Sequence, residues 1–295
     1  MTTVAHAAQI ERAAQITPPL PSRSRGALRI ADATKLYDVS GGRVLALDRC
    51  SFDVAAGEIC AIVGPSGCGK TTLLNAIAGF HPLDEGSIHL DGRLLCGPGQ
   101  RQAAVGSDRV VVFQNGSLFP WKTIIENVAF GPTVQGRLTR REAVEEARAR
   151  LADAGLEGYE RMYPGQSSSG VRRRVEIVRA LMNDPAVLLL DEPYRALDSL
   201  TKSVMHEALL EVYARNRVTT FFITHDLEEA IFLGSRVVVM TSRPGRPKII
   251  LEVDLPYPRR HDIVTTARFR ELLQQTTEAV HEEALKAFDL GEREG

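Results

Sequence analysis

The run Gly64-Pro65-Ser66-Gly67-Cys68-Gly69-Lys70-Thr71 constrains this chain more than any other stretch. It satisfies the spacing G-x-x-x-x-G-K-[ST], in which glycines let successive backbone N–H groups face inward around a phosphate. A β-type run, Glu58 to Ile62, precedes it, and an apolar helical run, Leu73 to Ala78, follows after Thr72. That strand, loop and helix order is the context of a phosphate-binding motif. The pattern predicts a nucleotide site in which Lys70 reaches the β and γ phosphates and Thr71 places its hydroxyl on Mg²⁺. The following helix aims its positive end at the anion. Cys68 reads as a small residue whose backbone matters, neither nucleophile nor ligand. Kinases, GTPases, motors and transporters all use such a loop, so it gives nucleotide binding and no more.

Composition removes several alternatives. The 295 residues carry 36 basic and 37 acidic side chains, a balance that argues against a nucleic-acid arm or a polybasic membrane patch. With 44% hydrophobic and 25% charged residues the chain can bury a core. No apolar run approaches the roughly 20 residues of a membrane helix. The first 25 residues lack a charged start followed by an apolar stretch, so the chain is expected neither to span a membrane nor to be secreted. Cys50, Cys60, Cys68 and Cys96 form no CxxC pair, which argues against a disulfide framework or structural zinc and fits a reducing cytoplasm.

Periodicity divides the chain into three parts. Residues 1–26, rich in Ala, Thr, Pro and Ser, read as a loose extension. Residues 27–258 form the nucleotide-binding domain, opening with short β runs at Leu28 to Ile30, Val44 to Leu47 and Ser51 to Val54. Further β runs lie around Ser87 to Leu90 and Arg109 to Phe113. A helical insertion spans about 118–181, where Thr139 and Glu142 form a capping box and Gly155 a helix stop. The continuous apolar runs Val187 to Leu190, Thr219 to Ile223 and Val237 to Met240 read as strands buried on both faces of a mostly parallel sheet. They alternate with helical stretches, Leu200 to Ala214 and Leu227 to Ile231, in a βαβ rhythm. Residues 259–295 are a helical extension whose stripe of Phe269, Leu272, Leu273, Val280, Leu285 and Phe288 is expected to pack on the domain or a dimer mate.

Two strand ends carry further chemistry. Val187-Leu188-Leu189-Leu190-Asp191-Glu192-Pro193 ends in two carboxylates, where open α/β sheets place their ligands. Asp191 is expected in the Mg²⁺ shell, leaving Glu192 to polarise an attacking water. Phe221-Phe222-Ile223-Thr224-His225 ends in a group able to hydrogen-bond a γ phosphate or the water attacking it.

Together these residues resemble the ATP-binding subunits of ABC transporters, over roughly Leu28 to Pro258. The matches are the Walker A loop Gly64 to Thr71, Gln114 in Val111-Val112-Phe113-Gln114, a signature region at Ser168, Ser169 and Gly170, Walker B at Asp191-Glu192, and His225. The resemblance implies an α/β P-loop NTPase with a mostly parallel core sheet, an N-terminal antiparallel β subdomain and an inserted helical subdomain. It assigns Tyr37 to adenine stacking, with Val44 lining the base; a sheet-surface role for Tyr37 is the bland alternative. It implies Lys70, Glu192 and His225 as catalytic residues, and Thr71, Gln114 and Asp191 as Mg²⁺ ligands. The nucleotide contacts implied run through Gly64, Pro65, Ser66, Gly67, Cys68, Gly69, Lys70, Thr71 and Thr72, with ATP and Mg²⁺ as cofactors. Asp198, in Ala196-Leu197-Asp198, matches the loop that crosses a head-to-tail dimer, in which ATP lies between the Walker A of one chain and the signature of the other. Leu118-Phe119-Pro120-Trp121 and Ser242-Arg243-Pro244-Gly245-Arg246 are similar to importers of the nitrate, sulfonate and taurine class. That class implies a peripheral subunit on the cytoplasmic side of the membrane, bound to transmembrane permease subunits and, through them, to a substrate-binding protein. Trp121 would border the docking groove for a permease helix or, equally, pack in the core.

The family signature is usually Leu-Ser-Gly-Gly-Gln, whereas here Ser167-Ser168-Ser169-Gly170-Val171 follows Pro164-Gly165-Gln166. Ser169 in place of glycine is expected to crowd the opposing site or to take an unfavourable φ. Arg195, where the subfamily often has a small residue, is a second departure at the same seam, and one of Arg172, Arg173 and Arg174 is expected at the surface. The leading reading is the energy-coupling ATPase of an importer for a small organic or inorganic anion. A catalytically weakened or regulatory subunit of a heterodimer, rather than a homodimer, is the alternative; a nucleic-acid-binding ATPase of repair or translation is disfavoured by the charge balance.

Overall fold

The N-terminal β runs join into two long antiparallel strands, β1 (Leu28–Val39) and β2 (Gly42–Val54), with Tyr37 opposite Val44. Asp32 and Arg49, at φ 50° and 42°, accompany register shifts in this pair, which is why the sequence reads there as separate short runs. The computed structural model describes residues 25–293 apart from 41, 98–104, 196 and 258. Residues 1–24 of the expected extension, and Ala196 and Pro258, lie outside the described residues.

The chain continues through β3 (Ile59–Val63), α1 (Lys70–Ala78), β4 (Glu85–Leu90), β5 (Arg93–Cys96) and β6 (Arg109–Val112). The helices α2 (Ile124–Val134), α3 (Arg140–Asp153) and α4 (Ser169–Leu181) follow. Then come β7 (Val187–Asp191), α5 (Ser199–Asn216), β8 (Thr219–Ile223), α6 (Leu227–Leu233), β9 (Arg236–Met240), β10 (Pro247–Glu252) and α7 (Ala267–Arg293). One sheet is antiparallel, in the order β2-β1-β4-β5; the other has the order β10-β9-β3-β8-β7-β6 and is parallel except where β10 meets β9.

Every residue of β3 and β8 is buried, as strands covered on both faces must be. Cys60 and Ile62 face one core with Leu73 and Ile77 of α1, whereas Ile59, Ala61 and Val63 face the other with α4, α5 and α6. Truncating Ile62, which has no exposed surface, to alanine is expected to cost about 2–5 kcal/mol by transfer and cavity terms. Because β3, β6, β7 and β8 run parallel, their C-terminal ends share one edge of the sheet. That edge receives Gly64, Gln114, Asp191 and His225.

The helical segment has its own core of Ile124, Val128, Ala147, Leu151, Val175 and Val178. Thr139 accepts from the Glu142 amide while the Glu142 carboxylate accepts from the Thr139 amide at 2.8 Å, and Gly155 follows α3 at φ 65°. A second capping box, Thr123 with Glu126, starts α2.

One packing expectation is corrected. Trp121 is 71% exposed, which removes a core role for it. In α7, Phe269 and Leu272 are buried on the domain, whereas Leu285 and Phe288, nearer its end, are exposed on the single chain.

Candidate functional site

The phosphate loop is held open by backbone that side chains rarely adopt. Gly67 and Gly69 take φ 77° and 94°, and a Cβ at Gly69 would lie 2.7 Å from the Ala46 carbonyl oxygen. Gly69 caps α1 without any side-chain hydrogen bond, so the first N–H groups of that helix have no side-chain acceptor. Lys70 is buried, and its ammonium donates to the carbonyls of Gly64 and Pro65 at 2.8 and 2.9 Å. Cys68 is buried with its Sγ 3.5 Å from Lys70 Nζ; burial pushes its thiol up, against the pull of Lys70. It behaves as a packed small residue.

Asp191 ends β7 beside this loop. Burial first, and then the neighbouring Glu192 charge, push its carboxyl above the ordinary carboxylate range, while Lys70 and a hydrogen bond with Thr71 work the other way. A carboxylate destabilised by burial beside a hydroxyl fits a divalent cation that also binds phosphate oxygens. Glu192 adopts φ 43°, a left-handed conformation uncommon for a residue with a side chain, and its amide donates to the Ile223 carbonyl at 2.9 Å. The turn aims its side chain between two neighbours: His225 Nδ1 at 3.5 Å from Oε1 and Arg195 Nη1 at 3.1 Å from Oε2.

Tyr37, Val44, Ser66, Gly67, Cys68, Gly69, Lys70, Thr71, Thr72 and Glu192 line one cavity, so strand β1, the loop and the end of β7 converge. Tyr37 meets His81 edge-on at 6.3 Å between ring centres. Gly64 and Pro65 take part through the carbonyls that hold Lys70. Ala46 and Arg243 complete the wall.

The remaining expected residues are not among those lining this cavity. Ser168 caps α4, its hydroxyl accepting from the Val171 amide, and Ser169 begins the helix with no left-handed φ. The backbone strain expected at Ser169 is therefore absent, because this position lies in the first helical turn, where a Cβ is tolerated. Gly170 is buried, and a Cβ there would approach Thr201 Cγ2 to 3.1 Å. Asp198 caps α5, accepting from the Thr201 amide and hydroxyl, which hold its carboxyl below its ordinary range.

Gln114 is positioned through its backbone. Arg173 donates to the carbonyls of Phe113 and Gln114, both at 2.8 Å, and pairs with Glu176 at 2.7 Å; Glu176 in turn accepts from the Ser117 amide. Both charges are buried. Arg173 is thus a clamp on the segment after β6, whereas the sequence expectation for the three arginines is only that one of them lies at the surface. A second unforeseen set stands behind His225. Buried Glu229 accepts from the Thr224 hydroxyl and meets His206 Nε2 at 2.8 Å, anchoring the residue before His225.

Comparison with known proteins places the chain beside ATP-binding subunits of transporters. The ABC transporter family model matches residues 47–195. The taurine import ATP-binding protein TauB of Rhizobium johnstonii is 43% identical over 262 residues, covering 86% of this chain and 96% of that protein. The aliphatic sulfonates import ATP-binding protein SsuB of Bacillus cereus is 38% identical over 250 residues, covering 83% and 94%. Among solved structures, the dimeric post-hydrolysis state of the ATP-binding cassette MJ0796 bound to ADP and Pi superposes with a TM-score of 0.65 at 28% identity. It covers 77% of this chain and 98% of that one.

Proposed function

This chain belongs to the ABC transporter family and hydrolyses ATP, and from that premise we propose that it is the energy-coupling subunit of an importer for a small anion of the sulfonate or taurine kind. The observation that carries the site assignment is the convergence of Tyr37, the Gly64 to Thr71 loop and Glu192 on one cavity. In this reading Tyr37 stacks on adenine and the loop amides with Lys70 hold the phosphates. Thr71 and Asp191 hold Mg²⁺, with Gln114 near it. The cation neutralises charge on the β and γ phosphates when bound. Glu192 polarises the attacking water, and His225 hydrogen-bonds the γ phosphate.

Ser168, Ser169, Gly170 and Asp198 cap or open helices away from that cavity, so their contact with nucleotide is to the site of a second chain. MJ0796, solved as a dimer, supports that arrangement. The ordinary helical backbone at Ser169 favours a working signature over a weakened one. Among the described residues no helix is long and apolar enough to cross a membrane. The exposed indole of Trp121, packed at 5.5 Å on Phe119, supports docking of a permease at this face on the cytoplasmic side, with a substrate-binding protein reached through the permease. Reconstitution tests the reading. ATPase activity should rise when the chain is assembled with the permease and a sulfonate-loaded binding protein, and Trp121→Ala should lose that stimulation while keeping basal hydrolysis.

A further inference from the structure

The loop Ser242 to Arg246, between β9 and β10, lies against the nucleotide cavity. Gly245 is wedged between the phosphate loop and β2: a Cβ there would lie 2.0 Å from the Cys68 carbonyl oxygen. Its amide donates to Ala46 at 2.9 Å, and its carbonyl accepts from Asp48 at 3.2 Å. No residue but glycine fits so close a backbone approach. The wedge places Arg243 in the cavity wall, where a Cβ on Gly67 would come within 3.2 Å of its Nη2. Lys70 and Arg243 are the two cations lining the cavity. Lys70 is engaged with the loop carbonyls, whereas Arg243 forms no hydrogen bond or ion pair among the described residues.

The residue before it is fixed from a distance. Glu283, buried in α7, accepts from the Ser242 amide at 2.9 Å and from its hydroxyl at 3.2 Å. Lys248 and Lys286 neutralise that carboxylate at 3.1 and 2.7 Å. Burial works to raise its pKa, but Lys286, the Ser242 amide and Lys248 outweigh it and hold the value at about 2. The carboxylate is therefore charged at every physiological pH.

We infer that Arg243 is a further nucleotide-binding residue, its guanidinium taking a phosphate of ATP, and that Glu283 of the C-terminal helix is its positioning residue. The inference rests on the cavity being the ATP site. It gives the C-terminal extension a defined task, since a ligand or partner that shifts α7 would change nucleotide affinity through Ser242.

The test is calorimetric titration of MgATP into the full chain and its variants. Arg243→Ala should weaken binding about tenfold, the worth of one charge-assisted hydrogen bond, and Arg243→Lys should recover part of the loss. Glu283→Gln should weaken it several-fold with the circular dichroism spectrum unchanged. If Glu283 acts through Arg243, Arg243→Ala/Glu283→Gln should bind no more weakly than Arg243→Ala alone. Multiplying losses would overturn the positioning role. Lys70→Ala separates the failures: affinity lost in Lys70→Ala but unchanged in Arg243→Ala overturns this inference alone, and affinity unchanged in both overturns the site itself.

Discussion

His225 Nδ1 lies 3.5 Å from Glu192 Oε1, joining the ends of two adjacent parallel strands, β8 and β7, at one carboxylate. A water beside both groups would find an acceptor and an orienting partner together. Glu192→Gln should lower ATP turnover by about 10²–10⁴-fold, the usual worth of a general base, with ATP affinity retained. Phosphate release and nucleotide titration check this; a variant retaining more than a tenth of turnover would remove Glu192 from the mechanism.

Arg195 occupies the second oxygen of the same carboxylate at 3.1 Å and is itself 58% exposed in its side chain. An exposed ion pair is worth at most about 1 kcal/mol, so Arg195→Gly should raise basal turnover by no more than about fivefold and barely change stability. Lower turnover in that variant would show that the arginine assists hydrolysis instead of restraining Glu192.

The buried Arg173–Glu176 pair predicts a stability effect. Removing one partner leaves an uncompensated buried charge, so Arg173→Met should lower unfolding free energy by about 3–5 kcal/mol. Arg173→Met/Glu176→Leu should cost less than the single change. Urea unfolding reads both, and a double variant that loses more than the single one would mean that the two charges are not coupled.

How far these groups were legible from the sequence depended on chain distance. The loop at Gly64 to Thr71, the carboxylates at Asp191 and Glu192, and His225 each announce themselves within one strand and its following turn, and parallel pairing then brings them together. Arg173, Glu229 and Glu283 do not, because their roles depend on contacts with Gln114, Thr224 and Ser242 that a local period cannot encode. Arg243 was visible only as part of a family-like run. The short β5 was missed because Arg93 to Cys96 is too brief to show alternation, and exposed Trp121 was ambiguous because apolar character alone does not distinguish a core from a docking face.

Glu283 also predicts a pH dependence. Its folded pKa, about 2, lies below the ordinary glutamate value, so the stability it supplies is fully present above about pH 4.5 and is lost as pH falls toward 2. The difference in unfolding free energy between the native chain and Glu283→Gln should therefore shrink across that window. A constant difference would show that the carboxylate's charge contributes nothing.

The central claim is an ATPase whose site is completed by a second chain, with Ser168 to Gly170 and Asp198 facing the partner's nucleotide. Size-exclusion chromatography of Glu192→Gln with and without MgATP tests it most directly, because blocked hydrolysis traps the closed state. The account predicts elution at the mass of two chains with ATP and of one chain without it, and loss of the shift in Glu192→Gln/Lys70→Ala. A chain that binds ATP to saturation yet elutes as a monomer would contradict it.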